Sequence, residues 1–147
     1  MTHHLVLRII TKIFLPPILL YALYVQFHGD YSPGGGFQAG VIFAVGIILY
    51  GLVFGLDSAK QVAPPRAIQV LMATGVLIYA GVGFVTVFLG ENYLAYDSLH
   101  PDLEHHTGQH YGILLVELGV GITVASVMIS LFYAFAGRYV EIRDEDW

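Results

Sequence analysis

Ala39-Gly-Val-Ile-Phe-Ala-Val-Gly-Ile-Ile-Leu-Tyr-Gly-Leu-Val-Phe-Gly-Leu56 contains no charged residue and no proline. A run of this length and apolarity is about what a helix needs to cross bilayer hydrocarbon. It has no polar stripe that would let it lie on a soluble core, so its natural solvent is lipid. Working outward, three further apolar segments flank it: Leu5 to Phe27, Ala67 to Leu89, and His110 to Phe135. Over the 147 residues, hydrophobic side chains make up 56%, charged ones 12%, and mean hydropathy is +0.71. Soluble domains carry about a quarter charged residues, so this chain lacks the means to coat a water-facing surface. The expected fold is all-α: a polytopic membrane protein with four transmembrane helices in one domain spanning residues 1–147.

The segment Leu5 to Phe27 is too long for a signal peptide and no small-x-small cleavage site follows it, so an uncleaved span is expected. Arg8 and Lys12 fall in its first turns, where long cationic chains can snorkel to the interface. Pro16-Pro17 should kink it or shorten the helix proper. A polar connection, Asp57 to Arg66, joins spans two and three, and an external loop, 90–109, joins spans three and four. An acidic tail occupies 138–147. The six cations are Arg8, Lys12, Lys60, Arg66, Arg138 and Arg143, and the connections after spans one and three hold none. By the positive-inside rule both termini are cytoplasmic.

Between spans one and two runs His28-Gly-Asp-Tyr-Ser-Pro-Gly-Gly-Gly-Phe-Gln-Ala-Gly40. Pro33 fixes φ, while Gly34, Gly35 and Gly36 reach dihedrals barred to other residues, so a tight, specified backbone path is expected at the mouth of a helix. His28 and Asp30 flank this block. They either titrate or bind a cation, or they stabilise the turn, since Asp bonds nearby backbone amides. Free amides of the glycine run form a second possible ion-contacting surface, suited to anions.

Glu117 lies in the fourth span, roughly 10 Å below His110 at about 1.5 Å per residue. A carboxylate there costs several kcal/mol unless it is protonated, paired or hydrated. Gly121 and Ala125 continue its face in small residues, which admits another helix or water. The working expectation is a proton- or cation-handling group; the bland alternative is a protonated Glu bonded to a neighbouring helix. Glycines at 40, 46, 51 and 55, and at 75, 81 and 83, read as helix-packing positions. So many of them imply a component of a larger assembly.

His100, Glu104, His105, His106 and His110 in the outer loop lack a helical His-Glu-x-x-His register, and the chain has no cysteine, so no metal site is expected. No catalytic triad, P-loop, dinucleotide fingerprint or haem-ligand pattern occurs. Neither an enzyme nor a cofactor is expected, and a net charge of −5 offers no basic face for nucleic acid.

Two blocks carry a resemblance. Ser32-Pro-Gly-Gly-Gly-Phe-Gln-Ala-Gly-Val41 and Tyr111-Gly-Ile-Leu-Leu-Val-Glu-Leu-Gly-Val-Gly-Ile-Thr123, with the four-span layout, make the chain similar to the B subunit of the Mrp-type multisubunit sodium/proton antiporter. Asp30 departs from the pattern, since relatives are expected to carry a histidine there. The resemblance implies a non-catalytic membrane subunit, contributing to assembly and the cation path of a complex in the bacterial inner membrane. Its implied partners are large proton-translocating subunits like those of respiratory complex I, other small membrane subunits, the lipid bilayer, sodium ions and protons. The motif carries over to Pro33, Gly34, Gly35, Gly36 and Phe37, with Gly40 as a structural neighbour, and Glu117 carries over as the membrane carboxylate. Two rivals remain: the homologous ion-translocating subunit of a membrane-bound hydrogenase or related redox complex, and a stand-alone homo-oligomeric transporter.

Overall fold

A computed structural model describes residues 5–29, 33–99 and 107–138. It holds five α-helices: α1 Leu5–Phe27, α2 Gly36–Phe54, α3 Leu56–Val62, α4 Pro65–Phe88 and α5 Thr107–Ala136. All but the short α3 are long and apolar enough to cross a membrane. Among the described residues there is no strand. The chain is a helical, multi-pass membrane protein.

The span limits move in instructive ways. Helix α2 begins at Gly36 rather than Ala39, with Gly35 as its N-cap. Helix α5 begins at Thr107, three residues before His110, and runs for 30 residues. The polar connection after α2 is not a plain loop but contains α3. Gly55, at φ 98°, makes the break between α2 and α3, a dihedral that L side chains rarely adopt. Pro16 and Pro17 do not shorten α1, which continues unbroken through both. In membranes such prolines are tolerated where neighbouring groups re-satisfy the freed carbonyls.

The long helices pack in the order α1–α2–α5–α4. Small residues set the close approaches. A β-carbon on Gly75 of α4 would lie 2.7 Å from the carbonyl oxygen of Gly119 in α5, and one on Gly119 would lie 2.8 Å from that of Gly75. Gly40 of α2 similarly faces the Gly121 carbonyl at 2.6 Å, and Gly46 faces the Leu19 side chain of α1 at 3.0 Å. Gly81, by contrast, has open space around it and takes no part in packing.

The two ends of the bundle differ in character. At one end the Arg8 guanidinium lies 5.1 Å and the Lys12 ammonium 5.6 Å from the centroid of the Phe54 ring. There too the Tyr133 hydroxyl is 3.0 Å from the carbonyl oxygens of Ala59 and Ala63, tying α3 onto α5. Tyr133 joins Ala44, Ile47, Ala59, Ile68 and Ile129 in the buried core of that end. Lys60, Arg66 and Arg138 belong to the same end by chain position, and Arg143 lies outside the described residues. At the other end the loop after α4 folds back. The buried Thr86 hydroxyl donates to the Gly83 carbonyl at 2.8 Å and accepts the Leu94 amide at 2.9 Å. The Tyr93 ring covers Gly83, and a short 3₁₀ turn, Tyr96–Leu99, packs the Tyr96 ring on Gly112 of α5.

Candidate functional site

The glycine block and Glu117, about 80 residues apart in sequence, meet at the end of the bundle away from the cations. Helix α1 ends at Phe27, the chain turns through His28 and Gly29, and α2 starts at Gly36. Glu117 of α5 stands in that mouth. A β-carbon on Gly29 would overlap its carboxyl group, and one on Gly35 would lie 2.6 Å from Oε1. On Gly36 it would overlap the Glu117 backbone carbonyl. Gly36 is therefore required by space, whereas at Gly29 and Gly35 it is the flexible end of Glu117 that would have to move. Gly35 has a separate reason to be glycine, since its φ of 122° disfavours any side chain.

Gly35 is also the N-cap of α2 and has no side chain with which to cap it. The Ala39 amide reaches the Gly35 carbonyl at 3.0 Å, which leaves the amides of the first turn without intrahelical acceptors. Those amides and the helix dipole favour negative charge at this point. The side chain brought there is the carboxyl of Glu117. An anion-favouring amide surface was legible in the glycine run; that another helix brings a carboxyl group to it was not.

Depth changes as well. Glu117 is level with the first residue of α2, a helix of 19 residues, or about 28 Å at 1.5 Å per residue. That length roughly matches the hydrocarbon thickness. The first ten residues of α5 rise past this level beside the folded-back outer loop, where Tyr96 and Asp97 press on Gly108. Glu117 is thus level with the start of α2 and half-buried.

The remaining candidates divide. Pro33, Gly34 and Phe37 are exposed, Phe37 at 65%. Gly40 is buried one turn below, against α5. His28 stacks on Tyr24, ring centroids 4.0 Å apart, and its Nδ1 lies 3.1 Å from the Tyr24 carbonyl oxygen. Asp30 lies outside the described residues, as do His100, Glu104, His105 and His106. Among the described residues no three His, Asp or Glu side chains gather as a metal site would need.

Two residues escaped the sequence reading. Gly29 was quoted within the block but not singled out, although it encloses the carboxyl. Gln26 is 5% exposed, with Oε1 2.5 Å from where a side chain on Gly121 would begin. The signal for it was a lone amide inside an apolar span, which hydropathy averaging hides.

A four-helix membrane scaffold with a glycine-enclosed carboxyl is the class of protein the geometry defines. A family profile described as "Domain related to MnhB subunit of Na+/H+ antiporter" matches residues 6–130. A Staphylococcus haemolyticus (strain JCSC1435) chain whose name assigns it to antiporter subunit mnhB2 is 36% identical over 137 residues, covering 90% of this chain and 94% of the relative. A Staphylococcus aureus (strain Newman) chain bearing the same name is 31% identical over 136 residues, with the same coverage. The chain belongs to the MnhB-related family of Na+/H+ antiporter subunits.

Proposed function

We propose that this chain is a non-catalytic subunit of a multisubunit sodium/proton antiporter in the bacterial inner membrane, and that Glu117 is a step in its cation path. The cation-bearing end of the bundle faces the cytoplasm, in keeping with the positive-inside rule. The Glu117 mouth then faces outward. The partners are the other membrane subunits of the complex, including large proton-translocating ones.

One observation carries the reading: a half-buried carboxyl is held in a backbone cage of three glycines at the entrance between α1, α2 and α5. Amides on one side favour its charged form, while the membrane on the other disfavours it. A group balanced between those influences is suited to exchanging a proton for a cation. The same cage also supports a purely structural reading, in which charged Glu117 caps α2 from outside.

Glu117→Gln separates the two. It preserves shape and one acceptor oxygen, replaces the other oxygen with an NH2 donor, and removes the charge. In a reconstituted complex, sodium/proton exchange should fall while all subunits still assemble. Unchanged exchange would reject the path role.

A further inference from the structure

Arg8 and Lys12, one turn apart on α1, reach across to the same ring on α2. The Arg8 guanidinium lies 5.1 Å and the Lys12 ammonium 5.6 Å from the centroid of Phe54. Thr11, next to Lys12 on α1, is buried, so the pair borders the seam where α1 packs on α2. An aromatic face attracts cations but carries no net charge, so two positive charges remain here. Like charges one turn apart on a helix repel. Among the described residues neither cation has a carboxylate within 4.0 Å, not even Asp57, which follows Phe54 closely in sequence.

Depth indicates what supplies the missing anion. Phe54 is the last residue of α2, whose 19 residues span about 28 Å, roughly the hydrocarbon thickness. The ring therefore stands at the hydrocarbon boundary, and charges held beside it stand at the level of lipid phosphates. Ile9 and Ile13, next to the two cations on α1, and Leu52, just before Phe54 on α2, are exposed. That surface suits acyl chains and not a dissolved anion.

We propose that Arg8, Lys12 and Phe54 form a binding site for the phosphodiester of an anionic phospholipid. The guanidinium fork takes two phosphate oxygens, the ammonium adds a point charge, and the ring holds both heads in place beforehand. Two uncompensated cations select against a zwitterionic lipid, whose phosphate comes with an ammonium group of its own. The inference depends neither on the antiporter reading nor on any role for Glu117.

Native mass spectrometry of the full chain in detergent tests it, with phosphatidylglycerol or phosphatidylcholine of matched acyl chains added. Phosphatidylglycerol should bind at the lower concentration. Arg8→Gln and Lys12→Gln should each weaken its binding about fivefold, the worth of one cation near a membrane surface, and leave phosphatidylcholine binding unchanged. Both positions are exposed, so these variants should melt like the parent in lipid-free detergent, and the loss is read on a folded chain. Phe54→Leu keeps apolar bulk but frees both heads, and should weaken binding about twofold to fivefold. Arg66→Gln removes the same charge on α4, which packs away from α1, and should change nothing. Equal affinity for the two lipids overturns the proposal. So does an equal loss with Arg66→Gln, which would make the effect one of overall charge. Displacement of the lipid by excess inorganic phosphate would reveal a site for dissolved anions and overturns it as well.

Discussion

The carboxyl of Glu117 occupies the space in which a side chain on Gly35 would have to stand. Two features that sequence keeps far apart are thereby one feature in space, and each constrains the other. A change in the turn between α1 and α2 is felt at the carboxylate, and a change at position 117 is felt by the turn.

Gly29→Ala and Gly35→Ala should both displace the Glu117 side chain, and Gly36→Ala should push α2 off the α5 backbone. Overpacking of this kind costs about 1–3 kcal/mol. Gly35→Ala adds the strain of a side chain at φ 122°, again about 1–3 kcal/mol. Thermal melting of the detergent-purified chain should fall for Gly35→Ala and Gly36→Ala and least for Gly29→Ala, where only the flexible end of Glu117 must move. Pro33→Ala, at an exposed position, should change melting by less than about 1 kcal/mol. Equal effects at Pro33 and Gly35 would contradict the cage.

Gly75→Ala and Gly81→Ala are a matched pair in one helix. At Gly75 the new methyl would meet the Gly119 carbonyl at 2.7 Å and the Thr123 amide nitrogen at 2.8 Å, so α4 and α5 must part. At Gly81 it would meet nothing within 4 Å and should stabilise the helix by about 0.5–1 kcal/mol. Opposite shifts in melting temperature are expected, and shifts of the same sign would put the α4–α5 contact elsewhere.

Tyr133→Phe removes the hydroxyl that reaches the Ala59 and Ala63 carbonyls. The loss should be about 1 kcal/mol. It should appear as faster protease cleavage within residues 56–63, with the long helices left intact. Cleavage rates equal to those of the parent chain would show that α3 is held by other contacts.

Burial holds the Tyr96 hydroxyl above the ordinary tyrosine value of 10.0, with further upward pushes from Tyr79 and Tyr93. The folded loop therefore favours the neutral phenol. Its stabilising effect is complete below about pH 10 and is lost as pH rises through the raised value. A tyrosinate absorbance titration should show a late component, and Tyr96→Phe should diminish it. A titration unchanged by that substitution would locate the late group elsewhere.

The four spans were legible because crossing lipid demands only length and apolarity, both written in order along the chain. Ends were less so. Gly36, Phe37 and Gln38 read as loop since glycine punctuates most chains, yet here a helix starts at Gly36. Helix α3 was hidden in a stretch that looked like a polar connection. Glu117 and the glycine block each stood out alone. Their meeting depends on α2 packing beside α5 rather than beside α4, and that order is a property of surfaces, not of sequence neighbours. Gln26 was lost in an average: one amide among apolar residues barely moves a hydropathy window.

The packing order also has a consequence for how the protein is made. Synthesis delivers α4 to the membrane before α5, the only long helix against which it packs closely. It is long and apolar enough to wait in lipid without that partner. When α5 follows, it inserts between helices already present, and Glu117 arrives last at a turn whose glycines have kept its place open. A ribosome stalled before residue 107 would leave three spans in the bilayer and neither face of α5's future seat covered.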